Sequence, residues 1–227
     1  MIKHVFLDLD NTLFDFDAAE RLALTKAWRG LGIDVTDEML SRYSVINIAH
    51  WEKLETGELT RTEVLVKRFE ALYKEYGIEL DAAETNRIYE GYLAIGHIFM
   101  PGAPELLESL HGRYRLYIAS NGLAATQAGR IKSADIARYF DGIFVSETLG
   151  ANKPGRVFFE LCAKAIGGFE PSEAVMIGDS LTSDILGGLN YGMHTVWLNT
   201  KGKTAQRIIP EYTVTSLYDI PELLNRM

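Results

Sequence analysis

A pair of carboxylates stands at the end of the first apolar run of the sequence, where Asp8 and Asp10 are separated by one residue. On an extended chain, side chains two positions apart point to the same side, so the two charges approach each other. Two unit charges 4 Å apart repel by about 4 kcal/mol at an effective dielectric constant of about 20. The pair therefore requires a cation, a shared proton or exposure to water. By itself it is equally consistent with a solvated acidic turn.

Two further segments carry groups suited to binding an anion. Ser120-Asn121-Gly122 follows an apolar run and precedes a helical pattern. A hydroxyl and backbone N–H groups at a helix start bind anions, although ordinary turns use the same residues. In the second segment, Pro154 suits the first turn of a helix, which places Lys153 just outside the positive end of the helix dipole. A lysine there favours a nearby anion, and a solvated surface lysine is an equal alternative.

A second group of acids follows the fourth apolar run. Asp179 comes directly after this run, and Ser183 and Asp184 are suited to begin the next helix. Gly187 and Gly188 would allow that helix to lie close to the sheet. Considered singly, Asp179 fits a turn residue and Asp184 fits a first-turn acid favoured by the helix dipole.

These residues become informative together, because each group follows the carboxyl end of a predicted strand. Three or four carboxylates, one lysine and one hydroxyl would then share one edge of a sheet. Acids clustered with a cation and anion-binding amides are what Mg²⁺-assisted phosphoryl transfer requires. Since the net charge of −8 provides no general attraction for a phosphate, the metal and Lys153 must supply that attraction locally.

Short apolar runs that end in polar residues predict the strands that position these groups. The runs are continuous rather than alternating, as in strands covered on both faces. Because helical patterns lie between the runs, we predict an α/β fold with a doubly wound parallel sheet. The predicted strands are Val5–Leu9, Leu116–Ala119, Ile143–Val145, Ala174–Ile177, Thr195–Leu198 and Tyr212–Val214, and the predicted helices are Pro104–Leu110, Ala124–Lys132, Val157–Ile166 and Ser183–Tyr191.

The segment from 15 to 97 interrupts this alternation, since it contains helix signals and no convincing strand. The signals are the helical patterns Ala18–Leu31 and Asp37–Glu55 and the capping-box pairs Thr60/Glu63 and Asp81/Glu84. We predict a catalytic core formed by 1–14 and 98–227, and an all-helical cap domain formed by 15–97. Because the insertion leaves from the end of a strand, it must cover the carboxyl edge of the sheet, where open α/β sheets bind ligands.

The composition excludes several classes of function. The 227 residues are 47% hydrophobic, which is ample for a buried core. The 23 Lys and Arg against 31 Asp and Glu include no basic cluster, so we expect no nucleic-acid partner. Cys162 is the single cysteine, which excludes an intramolecular disulfide and a thiolate zinc site. No apolar run approaches the ~20 residues that cross a bilayer, so we expect a cytoplasmic protein without a membrane segment.

The motifs, in this order, resemble those of the haloacid dehalogenase-like (HAD) hydrolases. They are Asp8-x-Asp10-x-Thr12, Ser120-Asn121, Lys153-Pro154, and Gly178-Asp179 with Asp184. The resemblance covers nearly the whole chain, and the helical insertion is similar to the first type of cap in this family. It implies a Rossmann-like core, Mg²⁺ as cofactor and a small phosphate monoester as substrate.

The resemblance also implies a division of labour between the paired carboxylates. Asp8 is the nucleophile, which forms an aspartyl-phosphate. Asp10 protonates the leaving alcohol and then deprotonates the water that hydrolyses the intermediate. Two carboxylates can take different roles only if their environments differ, so Asp8 must stay ionised while Asp10 carries a proton at the first step.

By the same resemblance, the other motif residues bind the phosphoryl group and the metal. Lys153 also counts among the catalytic residues. The implied phosphate-binding residues are Ser120, Asn121 and Lys153. The implied Mg²⁺ ligands are Asp8, Asp10 through its backbone carbonyl, and Asp179, with Asp184 supporting them.

Asp10 separates two outcomes within the family. True dehalogenases displace halide, which needs no proton, and generally lack this second Asp, so its presence predicts a phosphatase. The stretches 121–127, 183–190 and 197–199 resemble the bacterial pyrimidine-nucleotide 5′-phosphatase branch, which predicts a pyrimidine 5′-nucleotidase. One alternative is a phosphatase of a sugar or small-acid phosphate, such as phosphoglycolate. An alternative of another class is a phospho-accepting, receiver-like signalling module.

If the cap covers the site, residues on its inner surface select the substrate. Four residues are candidates by type for stacking on a base or hydrogen bonding to a base or sugar: Phe14, Asn47, Trp51 and Arg61. The spacing of Phe69, Leu72, Tyr73 and Tyr76 predicts instead a buried stripe inside the cap.

Overall fold

The computed structural model describes residues 1–205 and 207–227 and contains a single six-stranded parallel sheet in that part of the chain. The strand order is β3-β2-β1-β4-β5-β6, so the chain winds outward in both directions from β1. This confirms the predicted α/β fold with a doubly wound parallel sheet. The strands are β1 His4–Leu7, β2 Arg115–Ser120, β3 Gly142–Val145, β4 Ala174–Gly178, β5 His194–Leu198 and β6 Tyr212–Val214.

Four helices follow β1 in the sequence and pack against one another. They are α1 Phe16–Gly30, α2 Asp37–Glu55, α3 Arg61–Tyr76 and α4 Ala82–Ala94. The predicted capping box is present at the start of α3, where the Thr60 hydroxyl and the Glu63 carboxylate each cap the other's backbone N–H. At the start of α4, the Asp81 carboxylate accepts the Glu84 N–H at 2.9 Å.

Beside the sheet, residues 1–205 and 207–227 form six further α-helices. They are α5 Ala103–Leu110, α6 Ala124–Ala134, α7 Ser146–Leu149, α8 Arg156–Ile166, α9 Leu186–Tyr191 and α10 Ile220–Leu224, with one π-helical turn at Leu181–Ile185 and 3-10 turns at Ala137–Tyr139, Pro171–Glu173 and Leu217–Asp219.

Two helix starts differ from the prediction. Pro154 does not lie in the first turn of α8, since that helix begins at Arg156 and Pro154 belongs to the preceding turn, with a cis bond to Lys153. The helix expected to begin at Ser183 starts earlier, with the π-helical turn, because the Ser180 side chain caps the Ser183 N–H. Both differences arise from local turn geometry that residue type alone does not specify.

The chain crosses between the sheet and the four inserted helices at two paired segments. The Asp15 N–H donates to the Ile98 carbonyl at 2.8 Å, and the Met100 N–H donates to the Leu13 carbonyl at 2.9 Å. This pairing fixes the inserted helices above the carboxyl edge of the sheet. We refer to these four helices as the cap.

The interior of the cap combines aromatic rings with buried charges. Tyr43, Phe69 and Tyr89 are fully buried, and the Arg68 guanidinium lies 5.2–6.0 Å from the centres of these three rings. Arg68 also donates to the Asn47 side chain at 2.9 Å. The predicted stripe on α3 is therefore cap core.

A buried carboxylate, Glu20, completes this polar network. It accepts a hydrogen bond from the Ser44 hydroxyl at 2.5 Å and one from the Asn47 amide at 2.7 Å. Buried charges are costly unless such partners surround them. The network thus ties α1, α2 and α3 together.

None of the helices in the described part of the chain has the length and apolar character that crossing a membrane requires.

The buried Glu20 gives the cap a defined pH dependence. Burial raises the pKa of Glu20 from 4.5 to about 7, so between these values the folded state holds a proton that the unfolded state releases. The contribution of Glu20 to stability is therefore fully present below pH 4.5 and is lost as the pH rises through about 7. We expect the wild type to lose about 3 kcal/mol more of its unfolding free energy over this pH range than Glu20→Gln, in which the Glu20 contribution is absent.

The measurement is urea unfolding from pH 4.5 to 8, comparing the pH dependence of the unfolding free energy between variants. Glu70→Gln alters an exposed glutamate of the same cap and should leave the wild-type pH dependence unchanged. Equal pH dependences for wild type and Glu20→Gln would contradict the assignment.

Candidate active site

The carboxyl ends of the strands bring together the polar residues that the sequence placed after them. Asp8 follows β1, Ser120 ends β2, and Asp179 follows β4. The Asp8 N–H donates to the carbonyl of Ile177 on the neighbouring strand at 2.9 Å, which fixes the backbone at the start of the site. On the other side, the Trp197 indole donates to the Asp179 carbonyl at 2.9 Å.

Lys153 lies at the centre of this edge and is 1% exposed. Its ammonium donates to Asp8 at 2.8 Å, to Asp184 at 2.6 Å and to the Ala119 carbonyl at 2.5 Å. Burial alone would lower the pKa of Lys153, but the carboxylates of Asp184 and Asp8 outweigh it and raise the pKa above its ordinary value. Lys153 therefore stays charged and neutralises part of the acidic cluster.

Three carboxylates, those of Asp8, Asp179 and Asp184, form this cluster, each offering an oxygen within 4.8 Å of the others. Burial and the nearby Asp184 raise the pKa of Asp179 to about 7, and the same two causes raise the pKa of Asp8. Lys153 supplies one positive charge against three carboxylates. The cluster therefore has the donor set and the charge deficit of a divalent-cation site.

Asp184 is held on both sides of its carboxylate. One oxygen accepts from Lys153, and the other accepts the Ser180 N–H at 3.0 Å. The Asp184 carboxylate can occupy this place only because residue 178 is glycine. A Cβ at Gly178 would lie 2.2 Å from the carboxylate. Of the two glycines predicted to let the next helix approach the sheet, Gly188 does so, since a Cβ there would lie 2.7 Å from Thr195 on β5, whereas a Cβ at Gly187 would lie 3.1 Å from Phe159 on α8.

Ser120 presents a free hydroxyl proton to the same edge. Its oxygen accepts from the Gly122 N–H at 3.1 Å and from the Gln127 amide at 3.0 Å. Both lone pairs are therefore occupied, and the O–H remains to donate.

Asn121 is used differently from Ser120. Its side-chain oxygen accepts the Lys153 N–H at 2.9 Å, and its amide donates to the Lys153 carbonyl at 2.8 Å and to the Ser183 hydroxyl at 3.2 Å. The side chain thus joins three loops and positions Lys153. Any phosphate contact from Asn121 would have to come from its backbone.

Asp10 is separated from the acidic cluster by partners that the sequence did not indicate. One of its oxygens pairs with the fully buried Arg130 guanidinium, and the other accepts from Gln127 at 2.6 Å. The Arg130 guanidinium also lies 5.0 Å from the centre of the Phe14 ring. None of the four family motifs contains Arg130 or Gln127. Gln127 ends the stretch 121–127 of the pyrimidine-nucleotide 5′-phosphatase resemblance, and the sequence signal for Arg130 is its position three residues further along α6.

A cavity of about 200 Å³ lies between this edge and the cap. Its floor contains Asp8, Ser120 and Lys153, and cap residues line the opposite side. The cap residues are Phe16, Trp51, Glu55, Arg68, Tyr89, Glu90 and Leu93. The sequence indicated Trp51 but not Glu55, whose pKa burial raises to about 7.

The structure does not bring the other three candidate substrate contacts to this cavity. Phe14 is 0% exposed and packs in the hydrophobic core beside the sheet. Asn47 is 3% exposed, and Glu20 and Arg68 occupy its amide. The Arg61 guanidinium does not line the cavity and instead donates hydrogen bonds to the carbonyls of Asn121 and Gly122. These substrate assignments rested on residue type, which does not determine the direction in which a side chain points.

Comparison with known proteins identifies the family. A family model described as haloacid dehalogenase-like hydrolase matches residues 2–192. The chain belongs to the haloacid dehalogenase-like hydrolases. The four-helix cap and this membership exclude the receiver-like alternative, which has no helical insertion after its first strand.

Relatives match over almost the whole chain. HAD-hydrolase YfnB of Bacillus subtilis is 38% identical over 224 residues, covering 98% of this chain and 95% of that protein. Pyrimidine 5′-nucleotidase PynA of Streptococcus pneumoniae is 38% identical over 226 residues, covering 99% and 95%. A crystal structure of YfnB bound to magnesium superposes with a TM-score of 0.94, at 38% identity and 99% coverage of both chains.

The close approach at Gly178 provides a test of the site's packing. Gly178→Ala should displace the Asp184 carboxylate and destabilise the protein by about 1–3 kcal/mol, as overpacking of a buried site does. Urea unfolding measures the change. Gly91→Ala is the matched control, because a Cβ there meets nothing within 4 Å and the residue lies within α4. A Gly178→Ala variant as stable as Gly91→Ala would disprove the steric role.

Proposed function

We propose that this protein is a Mg²⁺-dependent phosphatase of small monoesters that acts through an aspartyl-phosphate on Asp8, and that its substrates are pyrimidine nucleoside 5′-monophosphates. One observation carries the proposal. A buried carboxylate, a buried ammonium and a serine hydroxyl converge on the floor of one cavity, beside further carboxylates. This set matches the needs of phosphoryl transfer, in which positioning and charge stabilisation supply most of the catalysis.

The donor set of the cluster supports Mg²⁺ as the resident ion. Asp8 and Asp179 would hold it through carboxylate oxygens, with Asp184 supporting them. Asp10 would contribute its backbone carbonyl, as the resemblance implies, and its carboxylate pairs with Arg130 and Gln127. When bound, Mg²⁺ would neutralise charge that develops on the phosphoryl oxygens.

The residues of the chain divide the reaction between them. An Asp8 oxygen attacks phosphorus and the bond from phosphorus to the ester oxygen breaks, leaving an acyl phosphate on Asp8. The Ser120 hydroxyl is free to donate to a phosphoryl oxygen. Lys153, whose three N–H groups already bind Asp8, Asp184 and the Ala119 carbonyl, places its positive charge beside the phosphoryl group. Water then attacks phosphorus, the bond to Asp8 breaks, and inorganic phosphate leaves.

Asp10 transfers the protons in both steps. In the arrangement seen here both of its oxygens accept hydrogen bonds, which is the geometry of a carboxylate. That state suits the second step, in which Asp10 takes a proton from water. For the first step Asp10 must carry a proton and turn from Arg130 to the leaving oxygen.

The cap and the relatives support a nucleotide substrate. Trp51 and Phe16 line the cavity opposite the reactive groups and offer aromatic surface to a base. Two relatives, PynA and YjjG of Escherichia coli, are named pyrimidine 5′-nucleotidases and are 38% and 31% identical to this chain.

The decisive experiment is phosphate release from a panel of monoesters at matched concentration with Mg²⁺. The panel contains uridine, thymidine, cytidine and adenosine 5′-monophosphates, ribose 5-phosphate and phosphoglycolate. We expect the pyrimidine nucleotides to give the highest kcat/KM. A preference for ribose 5-phosphate or phosphoglycolate would replace the nucleotidase proposal by the sugar or small-acid phosphatase alternative.

Substitution of the nucleophile tests the covalent route. Asp8→Asn should reduce turnover by at least roughly 10³-fold, since the amide cannot form the acyl phosphate. Circular dichroism should show an unchanged fold. Asp34→Asn, at an exposed position of the cap, is the control and should keep wild-type activity. Substantial turnover by Asp8→Asn would refute the aspartyl-phosphate.

Chelation tests the metal. EDTA should stop phosphate release and added Mg²⁺ should restore it. Asp179→Asn should need roughly 10-fold or more Mg²⁺ for half-maximal activity, because it removes a charged ligand. Activity that is indifferent to chelation would argue against the assigned site.

A further inference from the structure

The Arg61 side chain, which belongs to the cap, donates four hydrogen bonds to residues of the core. Its Nη1 donates to the carbonyls of Asn121 and Gly122 at 3.2 and 2.8 Å. Its Nη2 donates to the Ser146 hydroxyl at 2.6 Å and to the Asn152 side chain at 2.5 Å. Four core acceptors from three segments of the chain therefore hold one guanidinium that belongs to the cap.

The position of Arg61 is defined on the cap side as well. It is the first residue of α3, directly after Thr60, whose capping box with Glu63 stabilises the start of the helix. The guanidinium therefore extends from a rigid helix end rather than from a flexible loop.

The carbonyls that Arg61 binds belong to the turn that follows Ser120. A trans peptide is planar, and its C=O and N–H point in opposite directions. Holding the Asn121 carbonyl therefore directs the Gly122 N–H away from Arg61, and that N–H donates to the Ser120 oxygen at 3.1 Å. Holding the Gly122 carbonyl directs the Leu123 N–H away from Arg61 in the same manner.

The residues that carry these N–H groups line the cavity. Ser120, Gly122 and Leu123 all line the cavity, whereas Arg61 does not. The turn also begins α6, whose first N–H, that of Ala124, donates to the Glu147 carboxylate at 2.7 Å. A cation bound to the carbonyls polarises the peptides and strengthens their N–H groups as donors.

We infer that Arg61 is a positioning residue that couples closure of the cap to binding of the phosphoryl group. With the cap closed, Arg61 orients the Asn121–Gly122 and Gly122–Leu123 peptides so that the Gly122 N–H holds the Ser120 oxygen, with its hydroxyl proton directed to the anion, and the Leu123 N–H points away from Arg61. With the cap open, the turn loses these bonds. The inference rests on the proposed phosphatase function, because it treats the cavity floor as the phosphoryl site.

A second contact between cap and core supplies a matched control. Lys201 donates to Asp17 at 2.5 Å, and neither residue touches the Ser120 turn. Removing this contact weakens the attachment of the cap and leaves the turn intact. A role in positioning the turn can therefore be distinguished from a role in holding the cap.

The experiment measures binding of inorganic phosphate and orthovanadate by calorimetry, in the presence of Mg²⁺, together with kcat and KM for uridine 5′-monophosphate. Arg61→Met should weaken vanadate binding and lower kcat/KM, each by roughly 10- to 100-fold, the range for lost hydrogen bonds to a charged group. Arg61→Lys keeps the charge but cannot reach four acceptors, so it should be intermediate. Lys201→Met should bind vanadate within about twofold of wild type.

Chemical rescue provides a second readout that a purely structural role would not change. In Arg61→Ala, added guanidinium ion should restore part of the lost vanadate affinity, and it should have no such effect on Lys201→Met. Circular dichroism identifies any variant that fails to fold. If Arg61→Met or Arg61→Ala does not fold, the comparison with the wild type uses Arg61→Lys.

The outcomes separate this inference from the proposed function. If the wild type hydrolyses none of the monoesters, the proposed function fails, while the phosphate affinities of wild type and Arg61→Met still decide the role of Arg61. Equal vanadate affinity for wild type and Arg61→Met would overturn the inference. So would an equal loss in Arg61→Met and Lys201→Met, or a wild type that binds neither phosphate nor vanadate.

Discussion

The crowding of like charge at one buried edge of the sheet is the constraint on which the rest of the structure depends. Three carboxylates lie within 4.8 Å of one another, and one ammonium, that of Lys153, is buried among them. Removing one partner of such a group typically costs about 3–5 kcal/mol, because it leaves an uncompensated buried charge. The parallel sheet supports this arrangement, since the carboxyl ends of β1, β2 and β4 meet there and main-chain hydrogen bonds hold each strand end in place.

Side-chain hydrogen bonds between loops hold the phosphate-binding residues of this edge in fixed positions. Asn121 joins its own turn to Lys153 and Ser183, and Gln127 joins Ser120 to Asp10. The catalytic groups are thus neighbours in one hydrogen-bonded network, although they come from distant parts of the sequence. Rigid support of this kind reduces the reorganisation needed when charge moves during a reaction.

The cap contributes a second polar network, which passes from its interior to the core. Glu20 and Arg68 are linked through Asn47, and Arg68 pairs with Glu90 at 2.9 Å. Glu90 in turn accepts a hydrogen bond from Thr126 on α6 at 2.8 Å. Charged groups buried this way contribute little net stability, but their partners must be in place. This network therefore fixes how the cap helices face the cavity as well as how they pack together.

The sequence by itself determined the α/β fold, the helical insertion and the positions of Asp8, Ser120, Lys153 and Asp179 at strand ends, because hydrophobic periodicity and strand-end motifs are local signals. Only the tertiary structure decided the pairing of Asp10 with Arg130, the burial of Phe14 and the contact of Arg61 with the Ser120 turn. Arg130 is 120 residues from Asp10 and Arg61 is 60 from Asn121. Such pairings depend on where helices dock and where side chains point. No local sequence pattern specifies helix docking or side-chain direction, so these pairings are determined only by the packing of the whole chain.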